Sequence, residues 1–544
     1  MASHNLFALL DAQADARPDA TALIFAKGQA TTSWTFAELR DQAHRYAHGF
    51  ADAGIGRGDR TLLLMKPCLD FYAVVFGLLA VGAIPVLMDP GMGVGPLLTC
   101  VREAKPKALI AISPVHAVRT FVRGPFASVE VLITAGSRWF WGGTTLARCL
   151  EAAEGAGPFQ IADFEASDEA AIVFTSGSTG VPKGVSFRHG MFRSVTEVLR
   201  EAIGLCEGRV TLETFAAFVL IDVALGMTAV VPDMNLSKPA TADPRKLVEA
   251  LVTHDCDVAF ASPVVLRKIT AQCASDGVTL SALRTVLSGV APVPGELHGA
   301  LRSVAPGATL AVNYGATECL CATHIDSDEV LGETWALTQQ GAGTCVGRPF
   351  PGMQVRIAHV RDDTIEALTD DLLLPAEAIG EILVRGPIAS PEYKDRPDAN
   401  LASKIIDGDG FWHRTGDLGY LDPSGRLWFC GRKAHRVETA EGMVPAVPVE
   451  GVFNRHDAVR RSALVGVGPA GSQRAVLCVE PLEPSAWTDQ LTQDMLGLAS
   501  GTRWEGTVAE ILVHPSGFPV DARHNAKIRR DELARWATSR VASA

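Results

Sequence analysis

Thr175-Ser176-Gly177-Ser178-Thr179-Gly180-Val181-Pro182-Lys183-Gly184 gathers hydroxyls, glycines and one lysine directly after an apolar run, Ala170 to Phe174, that reads as a buried strand. Glycines let backbone amides turn toward a ligand, hydroxyls add donors, and the ammonium is a point charge. The segment therefore suits an anion with several oxygens, a polyphosphate first of all. The Walker spacing is missing, since no Gly-Lys-Ser/Thr follows at the required distance from an earlier glycine, so an ordinary P-loop fold is disfavoured. A flexible linker would not normally stand between a strand and a Lys-Gly-Val-Ser-Phe continuation. Further polar segments punctuate the chain: Asn313-Tyr314-Gly315-Ala316-Thr317-Glu318 after a strand, Thr415-Gly416-Asp417 closing a Phe-Trp-His-Arg turn, Gly431-Arg432-Lys433, and Asn525-Ala526-Lys527. Each taken singly is an ordinary surface turn or a solvated cation.

The elements that must position these groups follow from hydrophobic pattern. A chain of 544 residues exceeds the size at which one core keeps growing, so two or more domains are expected. Short apolar strand patterns (Thr61 to Met65, Ile84 to Met88, Ala108 to Ile112, Val129 to Thr134, Val258 to Ala261, Thr285 to Leu287, Thr309 to Val312) alternate with helical ones (Phe36 to Ala53, Phe71 to Val81, Met191 to Ile203, Asp243 to Thr253). That alternation implies an α/β fold class with largely parallel sheets. After Gly347-Arg348-Pro349 the pattern turns to antiparallel strands, and beyond Cys430 it becomes a small α+β unit. The uncharged run Phe71 to Met88 is interrupted by Gly77, Gly82 and Pro85, so a buried helix, a glycine turn and a strand fit better than a membrane span. Net charge is -12 with scattered Lys and Arg, which argues against nucleic acid as partner. The 11 cysteines include no Cys-x-x-Cys and no zinc spacing, and the N-terminus lacks a signal-peptide layout, which points to reduced thiols in the cytoplasm.

In order and spacing the polar segments resemble the adenylate-forming superfamily of acyl-CoA synthetases, luciferases and peptide-synthetase adenylation domains. Trp34 to Leu39, Gly82 to Pro90, Ser288 to Pro292, Val346 to Pro349 and Gly380 to Ile382 support the match, which covers nearly the whole chain. The resemblance implies a large N-terminal domain, 1–430, with parallel α/β sheets and a small β-barrel-like part, a hinge at 431–434, and a small mobile C-terminal α+β domain, 435–544, acting as a lid. It also implies ATP and Mg²⁺ as cofactors. Thr175, Ser176, Gly177, Ser178, Thr179, Gly180 and Lys183 would hold the leaving pyrophosphate, and Tyr314, with Gly315, Ala316, Gly289 and Ala291, would flank adenine. Thr317 and Glu318 would hold Mg²⁺, a hard dication that prefers carboxylate and hydroxyl oxygen. Asp417 and Arg432 would take the ribose, and Lys527 would bridge the substrate carboxylate and the α-phosphate as charge develops.

Within the superfamily the chain looks most like the β-lactone synthetases of bacterial olefin and β-lactone biosynthesis. Phe174 to Val185 with Phe187-Arg188-His189, Trp141 to Leu146, Ala224 to Met234, Gly410 to Arg414, Trp428 to Val437 and Arg523 to Ile528 carry that likeness. Ala434 stands where Asp or Lys usually sits at the hinge, and Val437 to Val444 replaces the loop that lines the pantetheine tunnel of CoA ligases. The resemblance thus implies an intramolecular acceptor: the hydroxyl of a β-hydroxy acid attacks its own adenylate and closes a β-lactone, proximity offsetting ring strain. The alternative is a thioester-forming acyl-CoA or acyl-carrier ligase. Candidates for the base are Asp222, His189 and His413, besides AMP phosphate or water. The acid, an alkyl-bearing small molecule, is expected near Phe218, Val219, Asp222, Ser288, Val290 and Cys319, and assembly with other enzymes of the pathway is possible.

Overall fold

The computed structural model describes residues 4–27, 30–175, 182–520 and 528–541. A large α/β domain with two mixed sheets precedes a smaller C-terminal domain. Helix Phe36–Asp52 begins with a reciprocal cap, the Thr35 hydroxyl accepting from Glu38 N at 3.2 Å and the Glu38 carboxylate accepting from Thr35 N at 2.8 Å. Its apolar residues at helical spacing, Phe36, Leu39, Ala43, Tyr46, Ala47 and Phe50, are all buried. They pack on helix Leu69–Val81, which is buried from Phe71 onward. Gly77 permits the close approach, because a Cβ there would lie 2.9 Å from Tyr46 Cβ. Gly82 then turns the chain at φ +84° into strand Ile84–Leu87, the helix, turn and strand that the interrupted apolar run predicts. Among the described residues no helix is long and apolar enough to cross a membrane.

The first sheet runs in the order Thr144–Thr145, Val131–Ala135, Ala108–Ile112, Arg60–Leu64, Ile84–Leu87, Glu169–Phe174, Gly184–Arg188. All neighbours are parallel except the last pair, whose antiparallel register closes with Phe174 opposite Gly184. The second sheet holds a parallel core, Thr228–Val231, Val210–Glu213, Val258–Phe260, Thr285–Ser288 and Thr309–Ala316. Strand Cys319–Asp326 folds back antiparallel and joins Thr344–Pro349, beyond which Leu427–Arg432, Gly410–Leu421, Gly380–Arg385 and Gln354–Ala358 continue as antiparallel neighbours. The β-barrel-like part is therefore an antiparallel extension of the second sheet.

Thr415-Gly416-Asp417, whose composition reads as a turn, lies inside strand Gly410–Leu421. Pairing on both sides overrides the local turn preference. Leu383 pairs with Arg414 and Glu381 with Leu418, so two steps on one strand face four on the other and the segment bulges. A bulge of this kind re-aims a side chain, here Asp417.

The smaller domain packs helices Ala446–Phe453 and Asp489–Leu498 on one face of the sheet Val459–Val467, Arg474–Pro481, Glu510–Val513, and helix Arg530–Val541 on the other. Trp504 Nε1 donates to Gly341 O at 2.7 Å and docks it on the large domain.

Gly347 carries a direct stability test. Its φ is +78°, and a Cβ would meet His324 O at 1.8 Å, backbone against backbone. Gly347→Ala is expected to lose about 3 kcal/mol, since left-handed strain alone costs about 1–2 kcal/mol and the ladder must also shift. The midpoint of denaturant unfolding checks it, and an unchanged midpoint would show that the two strands can separate freely there.

Candidate active site

Of the polar segments, the described parts around Thr175 and Lys183, Tyr314 to Glu318, and Asp417 with Arg432 converge where the two sheets meet. Thr175 and Lys183 close the neck of the glycine-rich loop: Thr175 N donates to Lys183 O at 3.0 Å, and Lys183 N donates to Thr175 Oγ1 at 3.1 Å. Ser176, Gly177, Ser178, Thr179 and Gly180 lie outside the described residues, as does Lys527. The neck suits a loop that turns its amides toward one ligand, because both flanking strands are anchored in the first sheet.

Thr317 and Glu318 form the two-residue turn between Thr309–Ala316 and Cys319–Asp326. The turn is tight: a Cβ on Gly315 would sit 2.3 Å from Cys319 O. Tyr393 OH donates to Glu318 Oε1 at 2.6 Å, and the Lys183 ammonium lies 4.5 Å from the Tyr393 ring centroid. The segment carrying Tyr393 stitches the sheets together. Ser390 N donates to Glu318 O at 2.7 Å, while Ser390 Oγ donates to Ser186 O at 2.7 Å. Tyr393 has no motif of its own in the sequence; its only signal is proximity to the Gly380-Glu381-Ile382 strand.

On the other side of Tyr314, its phenol donates to Asp417 Oδ2 at 2.7 Å, and Arg432 Nη1 donates to Asp417 Oδ1 at 2.9 Å. Burial, followed by the Asp417 charge, holds the Tyr314 phenol protonated well above its usual range. Asp417 and Arg432 face each other as register partners, so the pair is set by strand alignment. Gly289 approaches Asn313, a Cβ there standing 3.0 Å from Asn313 O. Val290 is 45 % exposed at φ +66°, unusual for a β-branched residue, and such strain gathers at functional sites. Ala291 is half-buried beside it, Gly315 and Ala316 are exposed, and Ser288 is fully buried.

The expected acid pocket is partly redrawn. Phe218 closes a ring cluster, 4.5 Å from the Phe260 centroid, and Asp222 is buried against Glu213, a residue the sequence reading missed. Val219, expected at the pocket, instead packs into the core beside Leu220, Val223 and Ala224. The helix Val219–Ala224 turns Phe218, Ile221 and Asp222 the other way. Cys319 and Cys321 are buried, and burial pushes both thiols up, which leaves them unreactive.

Of the histidines considered as bases, His189 stacks on Phe164 at 4.5 Å, and burial lowers it to about 4. His413 is buried behind Tyr393 and meets Lys404 Nζ at 3.1 Å through Nδ1. Lys404, also unforeseen, donates to Ser390 O at 2.5 Å, and burial lowers its pKa to about 8 despite the nearby Glu318 charge. From 10.5 in an unfolded chain to about 8 here, the unfolded state binds more protons between those pH values. Lys404 therefore opposes folding below pH ~8, and its contribution improves as pH rises toward 10.5. The stability of the parent relative to Lys404→Met should climb across that window. A difference independent of pH would contradict the burial of a charged amine.

At the junction, Lys433 Nζ donates to Glu381 Oε2 at 3.2 Å and to Arg361 O at 2.8 Å, and Arg436 pairs with Asp362. Val437–Thr439 and Gly442–Val444 form a two-stranded hairpin.

Comparison with known proteins agrees with this architecture. The family model for AMP-binding enzymes matches residues 10–394. The chain is 42% identical over 549 residues to the olefin beta-lactone synthetase of Xanthomonas campestris pv. campestris, covering 98% of this chain and 97% of that one. It is 43% identical over 512 residues to the protein of the same name from Stenotrophomonas maltophilia, covering 93% and 91%. Among solved structures it resembles the amide bond synthetase McbA from Marinactinospora thermotolerans, with TM-score 0.80, 23% identity and coverage of 98% and 99%. ATP-bound MatB from Rhodopseudomonas palustris gives TM-score 0.78, 20% identity and coverage of 99% of each chain. The chain belongs to the AMP-binding enzyme family, in the group that contains the olefin β-lactone synthetases.

Proposed function

We infer that the protein uses ATP to activate a β-hydroxy carboxylic acid as its acyl adenylate, releasing pyrophosphate, and then closes the adenylate to a β-lactone with release of AMP. The observation that carries this reading is the similarity along nearly the whole chain to proteins named olefin beta-lactone synthetases. The site geometry fits it. Tyr314 and the Gly289 to Ala291 turn flank a space for adenine, with Gly315 and Ala316 leaving it open, and the Asp417–Arg432 pair offers acceptor and donor groups to ribose hydroxyls. The neck at Thr175 and Lys183 carries the loop that takes pyrophosphate, and Lys527 bridges the acid and the α-phosphate.

Thr317 and Glu318 suit Mg²⁺, because a hydroxyl and a carboxylate stand side by side in one turn. Among the described residues no group of three or more acidic, His or Cys side chains could hold a metal alone, so phosphate oxygens would complete the shell, as is usual for Mg²⁺. The ion would neutralise charge on the departing pyrophosphate. In this reading 431–434 is a hinge between the substrate-binding part, 1–430, and a lid, 435–544. The enzyme works in the cytoplasm, where ATP is supplied, beside others of its pathway.

The test supplies the protein with ATP, Mg²⁺ and a 2-alkyl-3-hydroxy acid, with no CoA. A product lighter than the acid by one water, together with AMP and pyrophosphate, is expected. Recovery of unchanged acid alongside AMP, or a product that forms only when a thiol is added, would reject lactone formation.

A further inference from the structure

Two carboxyl groups occupy the middle of the second sheet's parallel core with no ion-pair partner among the described residues. Glu213 ends strand Val210–Glu213, at the carboxyl edge of the sheet where open α/β folds place their ligands. Glu213, Phe260 and Leu287 are register partners across three adjacent parallel strands, and Thr211, two residues before Glu213, shares its face. Helix Val219–Ala224 covers this face with Ile221 and Asp222. Between them lies a cavity of about 10 Å³, room for one water or one hydroxyl, walled by Thr211, Phe218, Ile221, Phe260, Leu287 and the two acids.

The pair is unusually short of partners. Glu213 is 1 % exposed and Asp222 4 %, and the two carboxyls are close enough to shift each other. Glu213 Oε1 accepts from Phe215 N at 2.7 Å, but Glu213 Oε2, Asp222 Oδ2 and Thr211 Oγ1 are buried with no hydrogen-bond partner. Among the described residues neither acid forms an ion pair. The titratable groups facing the pair from the neighbouring helix Leu69–Val81 and its cap are Tyr72, whose buried hydroxyl is also without a partner, and Cys68. Burial raises both carboxyls, Asp222 to about 8, and the Asp222 charge raises Glu213 further, so both are held protonated through neutral pH and can donate as well as accept a hydrogen bond. Buried polar atoms call for a partner, and a cavity of this size suits a single hydroxyl or water that bridges them. The cavity-lining residues Leu199, Leu205, Ile221, Phe260 and Leu287 belong to the same apolar cluster as Cys319, against which Tyr314 and Leu320 pack.

We propose that the Glu213–Asp222 pair receives the β-hydroxyl of the substrate and orients it by hydrogen bonds, so that its oxygen is held for attack on the adenylate carbonyl. This rests on the lactone reading. The hydroxyl oxygen forms the new bond to the carbonyl carbon, and the bond from that carbon to the phosphate oxygen breaks, its electron pair leaving on AMP. The hydroxyl proton passes to a phosphate oxygen of the departing AMP, and the pair keeps its protons throughout. The small cavity admits a hydroxyl and little more, so an acid without it leaves the two carboxyls open.

The test uses the full-length protein with ATP and Mg²⁺ and compares a 2-alkyl-3-hydroxy acid with its 3-deoxy analogue. In the parent, the KM for pyrophosphate release should be at least about 10-fold lower for the hydroxy acid, and equal KM values would overturn the proposal. In Glu213→Gln and Asp222→Asn, lactone formation should fall about 100-fold further than pyrophosphate release does, because the attacking hydroxyl is no longer held in place, and the preference for the hydroxy acid should shrink. Lactone and pyrophosphate falling together, with the preference retained, would mean a structural role and overturn it. If the parent makes no lactone from any β-hydroxy acid, the lactone reading fails separately. Hydroxyl recognition is then judged by the preference alone: its loss in Glu213→Gln supports the pair, and its persistence rejects it. Should both variants fail to fold, the parent's comparison of the two acids still decides.

Discussion

Glu318→Gln should slow ATP-dependent pyrophosphate release by about 10²–10³-fold, the loss that follows removal of one preorganised charge-stabilising group. The substitution keeps the shape and the acceptor for Tyr393 OH, which sits 2.6 Å from Glu318 Oε1, so the hairpin turn should survive. What disappears is the anion itself, together with its ability to hold a dication against phosphate. Tyr393→Phe separates position from charge. It leaves the carboxylate but removes its orienting hydrogen bond, and a loss of roughly 10-fold is expected, in line with the ~1.5–3 kcal/mol of a hydrogen bond to a charged group. Pyrophosphate release across a Mg²⁺ titration distinguishes the two, because the Gln variant should need far more metal. Full activity in Glu318→Gln would remove this residue from the phosphate site.

Glu381→Gln should destabilise the fold by about 3–5 kcal/mol, the usual cost of leaving one member of a buried ion pair uncompensated. Glu381 and Arg414 have side chains only 2% and 3% exposed, and Arg414 Nη2 donates to Glu381 Oε2 at 2.6 Å. Arg414 also donates to the carbonyl oxygens of Asp363 and Ala402 at 2.8 and 3.2 Å, so its guanidinium cannot swing out to water. Glu381 additionally holds Lys433 at 3.2 Å, which links strand Gly380–Arg385 to the junction between the domains. The exposed pair Arg302–Asp328, with side chains 48% and 81% exposed, provides the contrast. Asp328→Asn should cost less than ~1 kcal/mol, because solvent screens both charges. Denaturant unfolding of the two variants side by side checks the ranking. Equal losses would mean that water reaches Arg414.

The local pattern of the chain makes most of the scaffold legible. Helix Leu69–Val81, the turn at Gly82 and strand Ile84–Leu87 follow from an apolar run broken at glycines, and strand Ala108–Ile112 matches its predicted limits. These elements depend on neighbours in sequence, so hydrophobic period and turn residues suffice to locate them. Thr415-Gly416-Asp417 shows where that logic stops. Its composition says turn, yet pairing to strands on both sides keeps it extended and converts the local preference into a bulge.

Thr175, Lys183, Tyr314, Glu318, Asp417 and Arg432, on which the nucleotide-binding reading rests, are all visible as residue types in order. Their partners are another matter. Tyr393 reaches Glu318 across 75 positions, and Tyr314 reaches Asp417 across 103. Glu213 and Asp222 are only nine positions apart, but they meet because a strand end and a covering helix happen to face one cavity. Val219 lies on the other side of that helix for the same reason. The sequence by itself therefore determined which elements form and which residues carry charge and phosphate-binding groups, because those properties are local. Only the tertiary structure decided which acids lie side by side, which tyrosine holds Glu318 and which face of a short helix turns toward the cavity. Those outcomes depend on how strands register and helices pack across long separations, and no periodicity in the chain records them.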